Sequence, residues 1–187
     1  MRWDDRYREV DPVSATPPEP LGERPDLAGL IPTAGTAIDI ACGLGAQTLW
    51  LAKLGLHVIA LDVSPVAIEQ VKAAADMARL ADHVDARVVD LDAGLPEGTP
   101  GADVIVCQRF RSQRLYPAII ERLAPGGIAI VTVLSEVGLS EVGLGQPPGP
   151  FHAAAGELVG AFTGEDMEVL YASEATGVAT IIVQRRG

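Results

Sequence analysis

From residue 36 onward, apolar runs of strand length, rich in β-branched residues, alternate with stretches of helical periodicity. TAIDIAC (36–42) predicts a buried strand, and AQTLWLAKLG (46–55) a helix closed by Gly55. HVIALD (57–62) predicts the second strand. Ser64 and Pro65 then read as the N-cap and first turn of a long helix reaching about Ala81. VDARVVD (84–90) and ADVIVC (102–107) predict the third and fourth strands, and a helix covers 112–123. GIAIVTV (127–133), after the Pro125-Gly126-Gly127 turn, is the fifth strand. Strands joined through helices run parallel through right-handed crossovers. The last two runs, MEVLYASEA (167–175) and VATIIVQRR (178–186), are separated only by Thr176-Gly177. So short a link makes an antiparallel hairpin, not a crossover. The pattern therefore predicts an α/β fold with a mostly parallel sheet, helices on both faces, and an antiparallel C-terminal hairpin.

Residues 10–25 break this pattern. Five prolines in VDPVSATPPEPLGERP argue for an extended arm rather than a helix or strand. The chain thus divides into an arm over 1–25 and a single domain over 26–187, a size that suits one hydrophobic core. Residues 135–144 repeat SEVGL in tandem and lead into GQPPGP. One five-residue duplication reads as a loop that tolerated an insertion.

Composition narrows the partners. The net charge is −11, with two lysines against twelve arginines, a poor match to a nucleic-acid backbone. A small-molecule partner is the better expectation, and the same charge also serves solubility. No apolar run approaches the ~18 residues of a membrane span, and MRWDDRYREVD lacks the apolar core of a signal peptide. The expected location is cytoplasmic. Two cysteines, Cys42 and Cys107, exclude a disulfide framework, and no Cys or His spacing predicts a metal site. Oligomeric state is left open.

The strongest local signal is IDIACGLG (38–45), a strand end, a glycine turn and a helix start. Gly43 and Gly45 let backbone approach a ligand, and the helix start offers free amide donors. Asp39 is an acid in an apolar strand, costly unless hydrogen-bonded. Asp62 ends the second strand, 19 positions after Gly43, where a carboxylate can accept both hydroxyls of a ribose. A dinucleotide fingerprint needs G-x-G-x-x-G. Here Ala41, Gly43 and Gly45 are followed by Thr48, so the third glycine is missing and NAD is disfavoured.

With these residues the chain resembles the class I S-adenosylmethionine-dependent methyltransferases over most of its length, and in particular their compact tellurite-resistance-type members. That resemblance implies a Rossmann-like, mostly parallel seven-stranded sheet. It places Asp39, Ala41, Gly43, Gly45 and Thr48 in the first cofactor motif, with Ala41 standing where a glycine is usual. Asp62 and Val63 fall in the ribose motif. Asp90 would bond the adenine amine, with Leu91 supplying an adjacent backbone amide. The end of VIVCQRF, including Cys107, would line the methionine part. WDDRY (3–7), RFRSQRL (109–115) and GPFHAAAGELVGAF (149–162) carry the likeness to the compact members. By that likeness the N-terminal segment folds over the cofactor as a lid, Arg6 pairs with its carboxylate, and Trp3 and Tyr7 help close the site.

The chemistry implied is methyl transfer from S-adenosyl-L-methionine, an in-line displacement in which the protein mainly positions the reactants. A base is needed only for a nucleophile that starts protonated. Arg109, Arg111 and Arg114 cluster just past the fourth strand. Either they hold an anionic acceptor such as a carboxylate, with Arg109 the best placed, or they are solvated surface. His152 either serves as base or hydrogen-bond partner of the acceptor, or is an exposed loop residue. His57 and His83 precede strands at the far end and read as structural, Tyr116 as helix packing, and both cysteines as small buried residues. Methyl transfer to a small acceptor, at a carboxylate or other oxygen, is the leading reading. An NAD-dependent oxidoreductase and a non-catalytic cofactor-binding protein remain the alternatives.

Overall fold

The structure is a computed structural model and describes residues 3–8, 13–139 and 148–187. Strand β1 (Thr36–Ile40) leads into helix α3 (Ala46–Leu54), after two short helices, α1 (Trp3–Arg8) and α2 (Pro25–Ala28). Then come β2 (His57–Asp62), α4 (Pro65–Met77), β3 (Val84–Val88), β4 (Ala102–Gln108), α5 (Leu115–Arg122) and β5 (Leu123–Ser135). The chain closes with β6 (His152–Ala153), α6 (Glu157–Phe162), β7 (Met167–Ala175) and β8 (Val178–Arg185). The strand order is β3-β2-β1-β4-β5-β8-β7, and the two-residue β6 adds an eighth strand beside β5. β1 to β5 are parallel, while β8 runs antiparallel to both β5 and β7. The expected sheet and terminal hairpin are therefore present.

Alternation along each strand sends successive side chains to opposite faces. Ile38, Ile40, Ile105, Val131 and Ile181 pack against Leu115 and Ile119 of α5 and Leu158 and Phe162 of α6. Ala37, Val104, Val106, Ile130 and Ile182 pack against Leu51 of α3, Leu27 of α2 and Leu21 of the arm. Ala60 and Ala86 meet Ile68 and Val71 of α4 on this second face. Each fully buried leucine or isoleucine contributes about 1.5–3 kcal/mol. One polar pair lies inside the sheet. Thr132 on β5 and Thr180 on β8, opposite each other in register, share a hydroxyl hydrogen bond at 3.0 Å, and Gln108 donates to Thr132.

Boundaries differ from expectation where glycine and turn chemistry intervene. α4 stops at Met77, because Arg79 takes a left-handed φ of 59° and a 3-10 turn over Ala81–His83 follows. β3 stops at Val88, because Asp90 caps another 3-10 turn. The helix expected over 112–123 covers Leu115–Arg122. β5 begins at Leu123, upstream of the Pro-Gly-Gly turn, with a register irregularity against β4. A Cβ at Gly127 would lie 2.9 Å from the carbonyls of Ala102 and Ala124, so only glycine fits there. The described part of the arm, 13–24, is free of helix and strand as expected, but its first segment, Trp3–Arg8, is helical. The second half of the SEVGL duplication and the start of the loop after it lie outside the described residues. Among the described residues no helix is long and apolar enough to cross a membrane.

Candidate active site

Five parallel strands put five carboxyl ends on one edge of the sheet, and ligands of such sheets bind there, where the strand order reverses. That reversal lies between β1 and β4, with Ile40 opposite Cys107. The turn after β1 is built from left-handed residues, Ala41 (φ 55°), Gly43 (φ 53°) and Gly45 (φ 83°). It is closed by the Gly45 amide on the Cys42 carbonyl at 2.9 Å and tied to β2 by the Cys42 amide on the Leu61 carbonyl. Ala41 holds an angle a glycine adopts without strain, at a cost of about 1 kcal/mol. A Cβ at Gly45 would come 2.8 Å from a Val71 methyl, so this glycine lets α3 approach α4.

Asp39 is buried and accepts a 2.6 Å hydrogen bond from the Thr48 hydroxyl. Burial pushes its carboxyl up to about 7, against the opposing effect of that bond. The expected partner for this buried acid is therefore Thr48, and together they brace the turn from beneath. Asp62, also buried, accepts the Gly43 amide on one oxygen and the Ser64 amide on the other, both at 2.9 Å. Val63 beside it is exposed. Asp90 is solvent-facing and accepts the Asp92 amide, while Leu91 is buried. The Val89 amide bonds the Asp62 carbonyl at 2.8 Å, which brings the Asp62 and Asp90 turns side by side.

Helix α1 lies against this turn. The Ser64 hydroxyl donates to Asp4 at 2.5 Å, and Gln70 of α4 donates to the Tyr7 carbonyl at 3.1 Å. The Tyr7 hydroxyl would be 3.3 Å from a Cβ placed on Gly43. Burial, then the Asp62 charge, raises the Tyr7 phenol to about 12. Tyr7 stacks on Trp3 with ring centres 5.9 Å apart, and Arg6 lies over the Trp3 ring at 5.5 Å. Trp3 itself is half exposed.

On the other side of the reversal, Cys107 is buried and its thiol is pushed up to about 12 by burial. Cys42 is likewise raised by burial. Arg109 follows β4 in a left-handed conformation (φ 58°) fixed by its amide on the Thr132 carbonyl at 2.7 Å. Its guanidinium pairs with Glu19 of the arm at 2.9 Å, an exposed contact. The Glu19 amide in turn bonds Gln108. Arg111 is committed elsewhere. It pairs with Glu157 through two nitrogens and donates to the Pro150 carbonyl. Tyr116 and Gln113 donate to the same Glu157 carboxylate, which is held at about 2 chiefly by the Arg111 bonds and then by these two. Tyr116 also packs on Phe162, as expected of a helix-packing residue. His152, half-buried on β6, accepts the Gly149 amide on Nδ1 at 3.0 Å. His57 and His83 lie at the opposite end of β2 and β3.

Apart from His57 and His83, the residues singled out in the sequence lie at or just beyond the carboxyl ends of the strands or on α1 beside them. Sequence reasoning missed Ser64 as the anchor of α1, Gln70, Glu19 and the Glu157 hub. Each acts across 46 or more positions, so no local spacing reveals it.

Residues 37–127, from β1 into β5, match the family described as a methyltransferase domain. Those residues, with the strand order around them, carry the chain's likeness to a methyltransferase domain. Two protein-L-isoaspartate O-methyltransferases resemble it in sequence. One, from an Anaeromyxobacter species, is 32% identical over 64% of this chain and 53% of its own length. The other, from a Polaromonas species, is 36% identical over 57% of this chain and 43% of its own length. The chain spans about half the length of these relatives. In structure the domain is similar to TehB from Haemophilus influenzae, with a TM-score of 0.74 at 21% identity over all of this chain and 68% of that one. The methyltransferase family implies S-adenosylmethionine as methyl donor, and the residues at the carboxyl edge suit it. A glycine-floored turn offers backbone to a ligand, and the Asp62 carboxylate keeps acceptor capacity beyond its two amide bonds.

Proposed function

We propose that this protein transfers a methyl group from S-adenosylmethionine to an oxygen of a small, anionic acceptor. The observation that carries this reading is Asp62, fixed by the Gly43 and Ser64 amides at the end of β2, where an acid accepts ribose hydroxyls. Gly43 and Gly45 would let the turn approach the ligand, and Asp90, with Leu91 behind it, would meet the base. Cys107 and the β4 end would flank the methionine part, with Arg6, Trp3 and Tyr7 covering it. When bound, S-adenosylmethionine supplies a methyl group already activated on a sulfonium, so the chain's own residues bind and orient.

Arg109 offers a guanidinium to an acceptor carboxylate, in place of its exposed pair with Glu19. The backbone of Gly149 engages His152 Nδ1, its amide at 3.0 Å and its carbonyl at 3.3 Å, which leaves Nε2 as the ring atom to serve an acceptor as hydrogen-bond partner or base. A carboxylate acceptor is already deprotonated and needs none. The names of both curated relatives favour a second reading, an isoaspartyl carboxylate within a protein.

Calorimetry with S-adenosylmethionine, S-adenosylhomocysteine and NAD tests the cofactor. Binding of the first two, lost in Asp62→Ala, is expected, whereas binding of NAD alone would overturn the reading. A screen with radiolabelled methyl donor against small acids, phenols, thiols, metalloid oxyanions and an isoaspartyl peptide separates the acceptors. Arg109→Ala is expected to raise the acceptor KM while cofactor affinity survives.

A further inference from the structure

We propose that Asp4, Ser64 and Gln70 are positioning residues that latch α1 over the end of β2, so that adenosine enters and leaves the Asp62 site only as α1 undocks. This rests on the reading of that site as one for S-adenosylmethionine. Helix α1 has six residues and none is fully buried, and an isolated helix so short does not persist in water. Its position therefore depends on what grips it. Two hydrogen bonds do so from separate places, the Ser64 hydroxyl on Asp4 at the start of α1 and the Gln70 amide on the Tyr7 carbonyl near its end. Between them the Tyr7 ring is set against Gly43.

The geometry couples this grip to the ribose acid. The Ser64 amide bonds one oxygen of Asp62 and the Gly43 amide bonds the other. The latch residue and the floor of the turn are thus the two backbone partners of Asp62, and α1 touches both. Asp62 is only 4% exposed, so protein atoms cover the carboxylate that must receive two hydroxyls. Ser64 is also the N-cap of α4, its oxygen accepting the Ala67 amide, which fixes the hydroxyl proton toward Asp4. Among the described residues Trp3, by contrast, stacks on α1's own Tyr7 and Arg6, and it stays half exposed. With no fully buried residue in α1, its docking leans on the two polar contacts, with the half-buried Tyr7 ring between them.

The test uses S-adenosylhomocysteine as probe and Trp3 as reporter, in the full chain with Trp50→Phe so that one tryptophan remains. Stopped-flow fluorescence gives association and release rates for this background and for Asp4→Ala and Gln70→Ala within it. Ser64 itself is left intact because its loss would also uncap α4. Each variant is expected to raise both rates about tenfold, the loss of one charge-assisted or neutral hydrogen bond at a closed state. Kd should change less than about threefold and Tm less than about 2 °C, since α1 adds little to the core. Acrylamide quenching of Trp3 without ligand should rise in both variants. Unchanged rates, or faster release with a proportional loss of affinity, would overturn the latch. Failure of the site reading looks different: the unaltered latch binds no S-adenosylhomocysteine although quenching still rises, and the inference falls with it.

Discussion

The Glu157 carboxylate makes the acid limb of this protein's stability predictable. It is 8% exposed and accepts Arg111 Nε at 2.8 Å, a second Arg111 nitrogen at 2.5 Å, Gln113 at 2.8 Å and the Tyr116 hydroxyl at 3.0 Å. Chiefly the Arg111 bonds bring its pKa from 4.5 to about 2. A carboxyl whose folded value lies below its unfolded value stabilises the fold above the unfolded value, and that contribution fades as pH falls through the folded one. The difference corresponds to about 3 kcal/mol, fully present above pH ~5, near half that at pH ~3 and almost gone at pH ~2. Glu157→Gln removes the charge but keeps the size. Urea unfolding at pH 7, 5, 4 and 3 should show the variant about 3 kcal/mol less stable at pH 7, with the gap narrowing at pH 4 and again at pH 3. A gap that stays constant with pH, or one below about 0.5 kcal/mol at pH 7, would refute the assignment of the lowered pKa to this cluster.

Asp39 carries the opposite sign. Its folded value lies above the unfolded one, so ionisation costs stability increasingly as pH rises from about 4 through about 7. Asp39→Asn should raise the melting temperature at pH 8 and lose that advantage at pH 4, read by calorimetry across the range. Gly45→Ala would force a Cβ to within 2.8 Å of Val71 at a left-handed φ of 83°. A loss of about 1–3 kcal/mol is expected in chemical denaturation. Both thiols are raised by burial, so at pH 8 neither should react with a thiol-specific chromophore until the protein is unfolded, when two equivalents appear. Rapid labelling of folded protein would contradict that burial.

The strands and the terminal hairpin were legible in the sequence because each is a local run whose period matches its environment. MEVLYASEA and VATIIVQRR coincide with β7 and β8 almost residue for residue. Asp62 was legible for a similar reason, since strand end, turn and spacing all lie within 25 residues. The position of Asp39 was visible but its partner was not, because Thr48 could as well have faced the ligand. α6 escaped detection since its six residues follow Gly156 without a polar side-chain cap. The arginine cluster shows the limit most clearly. Arg109, Arg111 and Arg114 look alike in sequence, yet Arg111 is committed to a largely buried pair with Glu157 whereas Arg109 meets Glu19 in an exposed one. Those partners come from 90 positions upstream and 46 downstream, and only the folded sheet edge brings them into reach.

The paired hydroxyls of Thr132 and Thr180 bear on how β8 finds its place. All around them β5 and β8 are hydrocarbon, and hydrocarbon alone tolerates sliding by two residues, which preserves the facing of every side chain. Such a slide would set Thr132 across from Val178 or Ile182 and strand a hydroxyl among methyl groups, at a cost of about 1–3 kcal/mol for each orphaned group. The two threonines therefore act as an alignment key, and a double replacement by valine would free the C-terminal strand to settle in more than one alignment while leaving its hydrophobic burial intact.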